Sequence, residues 1–129
     1  MSRTRLLRPK IAELLSRGTV PIGARLLYYA LLPIADDEGR LIGNHRYIAN
    51  RVFPNDPDIL DKLPAWLSSL ENDLRLIHRY HVGGVNYIEI TDWHTQRVAH
   101  PTPSSLPAPA QQNDLFDEVA LARAKRGEP

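Results

Sequence analysis

The sequence predicts an α+β domain in which helices come first and a small antiparallel sheet closes the unit, and three observations carry this. Gly83-Gly84 divides two strand-like stretches, 77–82 and 85–90; the segments before them repeat apolar residues every three or four positions; and the short triplet Arg40-Leu41-Ile42 interrupts those helical segments. Helix, helix, strand, helix, helix, hairpin is the order of a winged helix-turn-helix with a small three-stranded antiparallel sheet. A flexible C-terminal tail is expected to follow it.

Each element has a local reason. Arg8 to Arg17 places Ile11, Leu14 and Leu15 at helical spacing and stops at Gly18. Pro21 opens a second helix whose Leu26, Leu27, Ala30, Leu31 and Ile34 give a broad apolar face. Asp36-Asp37-Glu38-Gly39 ends it, and Arg40-Leu41-Ile42 suits a third strand beside the hairpin. Asn44 is the expected N-cap of a helix holding Tyr47, Ile48 and Val52, closed by Phe53-Pro54. Asp56-Pro57 begins the fourth helix, with Leu60, Leu63, Leu67, Leu70 and Leu74 in rhythm and Trp66 beside them; Pro64 inside it predicts a kink or a fresh start. The Gly-Gly loop then sets the hairpin register, because it supplies the positive φ values of a primed turn. Val82 pairs with Val85, Tyr80 with Tyr87, Arg79 with Ile88 and His78 with Glu89. Ile77, Ile88 and Ile90 thus line the base of one face, and Arg79, His81 and Asn86 its tip.

The chain's 129 residues, 43% of them apolar, suit one domain of modest core. The expected division is a winged-helix domain with a basic N-terminal arm over 1–100, a Pro-rich linker over 101–113 and a short helical or motif-bearing tail over 114–129. No membrane span or secretory h-region is visible, so a cytoplasmic protein of the host cell, without a membrane partner, is expected. Cysteine is absent, which excludes disulfides, thiol catalysis and thiolate metal sites. The net charge is only +1, yet residues 1–35 carry six Lys/Arg against Glu13 alone.

Catalytic and metal readings find little support. Five histidines, at 45, 78, 81, 94 and 100, show no ligand spacing, and His78 and His81 fall on opposite faces of their strand. Asp36-Asp37-Glu38 before Gly39 fits a turn and helix end better than a Mg²⁺ site. No phosphate-cradling glycine loop or nucleophilic triad is present. A non-enzyme without cofactor or metal is expected.

Taken together, Ala24-Arg25-Leu26-Leu27, Ala35 to Leu41, Tyr47-Ile48, Phe53-Pro54, Trp66-Leu67, Leu76-Ile77, Tyr87 to Ile90, Trp93-His94, Gln96 and His100 to Ser104 resemble the N-terminal winged-helix domain of phage replication proteins. These are of the replisome-organiser or replication-initiation type, similar in fold to DnaD-type initiators. The likeness covers roughly residues 5 to 107 and lies in order and spacing rather than in any single motif. It implies DNA binding, duplex or single-stranded, in DNA replication.

The residues point to phosphate contact more than to base readout. The second helix of the motif, which usually enters the major groove, exposes Asp58 and Asp61 near its start; only Lys62 there is cationic, with Ser69 further along. Other cations lie on the arm (Arg5, Arg8, Lys10), on the preceding helix (Arg46, Arg51), on the hairpin (Arg79) and beyond it (Arg97). His81 and Asn86 complete the candidate DNA set. The alternative is a protein–protein module of the same fold, a homodimeric adaptor or an inhibitor of a host complex, that does not bind DNA.

Gln112 to Phe116 resembles the bacterial sliding-clamp pentapeptide, with Asn113 as the departure. Gln112, Asp114, Leu115 and Phe116 are the candidate contacts to the clamp or another replication protein. The competing reading is a plain helix from Leu115 to Arg126 capped by Asp114.

Overall fold

A computed structural model describes residues 5–93, 96 and 101–109. Four helices, α1 (Pro9–Leu15), α2 (Ile22–Ile34), α3 (His45–Val52) and α4 (Ile59–Ser68), accompany a sheet of β1 (Arg40–Ile42), β2 (Ile77–Val82) and β3 (Val85–Ile90). The strand order is β1-β3-β2, antiparallel throughout. None of the helices among the described residues is long and apolar enough to cross a membrane.

The hairpin register is the one the Gly-Gly loop demands: Val82 opposes Val85, Tyr80 opposes Tyr87 and His78 opposes Glu89. Gly83 and Gly84 take φ of 58° and 79°, values a side chain would disfavour. Alternation then divides the sheet. Leu41, Ile77, Ile88 and Ile90 turn inward and are buried with Leu27 and Leu31 of α2, Ile48 of α3, and Leu63, Leu67 and Leu70 around α4. Each such side chain contributes about 1.5–3 kcal/mol by leaving water. Leu26, expected on this apolar face, is instead 53% exposed.

Two local expectations are modified. Helix α4 runs through Pro64 as one element, so no fresh start occurs there, although the Leu60 carbonyl is left without the bond that the proline nitrogen cannot donate. The irregularity falls downstream, in a π turn over Ser69–Asp73, where the Leu74 N–H reaches the Ser69 carbonyl at 3.2 Å. The wider turn follows Ser69, whose own N–H still bonds the Ala65 carbonyl as in an α-helix. Ser69 is 8% exposed, so it does not lie on the open face assigned to it.

Residues 101–109, from the stretch read as a linker, form a strap across the outer face of the sheet. The Thr102 N–H donates to Asp37 Oδ2 and the Ser104 N–H to Glu38 Oε2, both at 2.8 Å, and the Ser104 hydroxyl donates to Asp36. Further on, Arg40 donates to the Leu106 carbonyl at 3.3 Å and the Tyr80 hydroxyl to the Pro107 carbonyl at 2.8 Å. Tyr80 stacks between His78 and Tyr87, with centroids 5.9 and 5.5 Å away. Burial, followed by the opposing Arg40 and the Glu89 and Asp36 carboxylates, pushes its hydroxyl up to about 12, so it remains a donor at neutral pH.

Candidate nucleic-acid interface

The inward face of the sheet changes character toward the hairpin tip. Ile77 and Ile88 are core, but Arg79, His81 and Asn86 continue the same face past the point where helices cover it. The Gly43 N–H donates to the Asn86 carbonyl at 2.8 Å, which carries β1–β3 pairing one step further and brings the start of α3 beside the tip. Asn44 caps that helix, its side chain accepting from the Tyr47 N–H at 3.0 Å. His45 and Arg46 therefore stand in the first turn of α3, at the positive end of its dipole, facing the hairpin across a groove.

The groove has two joined parts. An open pocket of about 420 Å³ is lined by Gly43, His45, Arg79, Tyr80, His81, Asn86 and Tyr87. Another of about 370 Å³ is lined by Asn44, His45, Arg46, Leu60 and Asn86, sharing His45 and Asn86 with the first. Neither lining contains a carboxylate; two arginines and two imidazoles do the lining instead. A concave surface of that composition suits an anion.

The polar side chains here differ in how far they are committed. Arg79 donates Nε to Glu71 Oε1 at 2.9 Å, and its backbone N–H goes to the other oxygen of the same carboxylate. Its position is fixed by the π turn that carries Glu71, and its charge is partly compensated. His81 Nδ1 lies 2.7 Å from Asn86 Oδ1. This contact engages Nδ1 and leaves Nε2 directed away from it.

The remaining sequence candidates separate clearly. Arg5 is not on an open arm: its side chain is 7% exposed, pairs with Asp37 at 3.2 Å, donates to the Ala35 carbonyl at 3.1 Å, and lies 4.9 Å over the Trp93 ring. It is a cation of the fold, committed where no phosphate can reach it. Lys10, Arg51 and Lys62 are exposed but line neither part of the groove, and Arg8 is an exposed residue ahead of α1. Arg97, Gln112, Asp114, Leu115 and Phe116 lie outside the described residues. His45 is the groove residue that sequence reasoning passed over; its signal was its place directly after the Asn44 cap. Among the described residues no group of three His, Cys, Asp or Glu is placed to hold a metal.

The acidic turn has a different use. Asp36 Oδ1 accepts the Glu38 and Arg40 N–H groups, Asp37 Oδ1 accepts Arg5, and Arg40 lies 3.3 Å from Glu38. With the strap donors added, each of the three carboxylates holds at least two partners. Comparison with protein-family models, with curated proteins and with solved structures finds no match to this chain.

Proposed function

We propose that this α+β domain is a winged helix that holds the nucleic-acid backbone in the groove between its hairpin, the wing, and the start of α3. The observation that carries the reading is the groove lining, with Arg46, Arg79, His45 and His81 and no carboxylate. Phosphate contact of this kind brings affinity and register without sequence choice. Asp58, directly ahead of α4, and Asp61 on its exposed face argue against base readout by that helix. The place of such a module in phage-type DNA replication, and recruitment of a sliding clamp or other replication protein through Gln112, Asp114, Leu115 and Phe116, rest on the sequence resemblances.

The test is binding of the full chain to labelled duplex and single-stranded DNA over a salt series. Affinity should fall steeply with salt, and Arg46→Ala with His81→Ala should lower the slope of log K against log salt by about one to two. An absence of binding to either strand form at low salt would remove the proposal.

A second reading has an observation of its own. Ile22, Leu26 and Tyr29 are 71%, 53% and 40% exposed and lie on one side of α2. Such a stripe suits a protein–protein module, and sedimentation of the wild-type chain against Leu26→Asp tests it. A concentration-dependent dimer lost in the variant favours this reading.

A further inference from the structure

We propose that the groove has an internal competitor, the acidic first half of this chain's own tail. This deepens the reading of the groove as a nucleic-acid site and rests on it.

The strap determines where the tail starts. Its Pro107 carbonyl is fixed on the Tyr80 hydroxyl at 2.8 Å, and Tyr80 is itself a lining residue of the groove. The described chain ends two residues later, at Pro109. Asp114 follows after five more residues, which reach at most about 17 Å. Because Tyr80 is part of the groove's own lining, the tail starts at the rim of the groove, and that span brings Asp114 within reach of it.

Charge supplies the preference. Asp114, Asp117 and Glu118 come first in the tail, whereas its cations, Arg123, Lys125 and Arg126, come later. A site lined by two arginines and two imidazoles, with no carboxylate of its own, is complementary to the near half and not to the far half. The competitor is tethered, so its effective concentration is high and a weak contact suffices. Nucleic acid, offering many phosphates at once, displaces it, and the tail is then released toward any partner that reads Leu115 and Phe116.

The chain has no cysteine, so Ala120→Cys gives a single site for a nitroxide label in the full-length protein. At low salt the label should broaden the amide resonances of Gly43, His81 and Asn86, and about 0.5 M salt should remove the broadening. Broadening that is absent, or confined to other surfaces, overturns the proposal. A second arm compares DNA binding by the full chain with the triple variant Asp114→Asn, Asp117→Asn, Glu118→Gln, which should bind roughly fivefold more tightly. Equal affinities overturn the competition while leaving DNA binding intact. Broadening at the groove without DNA binding by either form keeps the tail contact and removes the nucleic-acid reading instead.

Discussion

The acidic turn and the hairpin groove are both polar, both charged and both on the sheet, yet their charges are arranged for different ends. At the turn, Asp36, Asp37 and Glu38 are met by Arg5, Arg40, Thr102 and Ser104, and the Arg5–Asp37 pair is almost wholly removed from water. At the groove, charges of one sign face open solvent, and among the described residues only Arg79 of the lining has a carboxylate partner. Opposite charges brought together hold a fold. Like charges held apart leave a surface complementary to an anion.

Substitutions at the two places should therefore separate stability from binding. The largest effect is expected for Asp37→Ala, which strands a buried guanidinium and an amide of the strap; urea unfolding should show a loss of about 3 kcal/mol. A loss below about 1 kcal/mol would mean that the turn is no more structural than the groove. Gly39→Ala comes next, at about 2 kcal/mol, because Gly39 has φ of 81° and an added Cβ would stand 2.6 Å from the Trp93 ring. In the groove, Arg46→Ala with His81→Ala should weaken DNA binding roughly tenfold while leaving unfolding within about 0.5 kcal/mol of wild type. Equal damage to both measurements would erase the distinction.

The smallest effect sharpens the boundary between the regions. Tyr80→Phe removes the hydroxyl that holds Pro107 and should cost about 1 kcal/mol at neutral pH. Its folded pKa, about 12, is above its ordinary value of 10.0, so the unfolded chain loses this proton first as pH rises. The stabilisation is complete below pH 10 and declines between 10 and 12. Tyr28, raised to about 12 by burial and then by Asp92, declines over the same window, so the variant should show a shallower alkaline loss rather than none.

What was legible in the sequence was whatever short-range chemistry decides. The Gly83-Gly84 turn set the register, Asn44 announced α3, and the triplet at 40–42 found its place beside β3. What escaped depended on residues distant in the chain. Arg5 reads as one more cation of a basic arm, and nothing local pairs it with Asp37, 32 residues on. Ser69 was placed on the open face because it is polar, yet it is buried between the core positions Leu67 and Leu70. The strap looked like a linker because proline-rich chain makes no ladder of its own. Its amides could be satisfied only by acceptors more than 60 residues away. Three consecutive acids needing donors were the available hint.

The acidic turn also fixes how the domain bears load. The incoming chain is held there through Arg5, and the outgoing chain through Thr102 and Ser104. A pull on the outgoing chain is therefore taken first by the Pro107 contact to Tyr80 and the Leu106 contact to Arg40, and then by the contacts converging on Asp36-Asp37-Glu38, short of the leucine core. Force applied to the tail should peel the strap residue by residue, from Tyr80 back to the turn, while the leucine core holds.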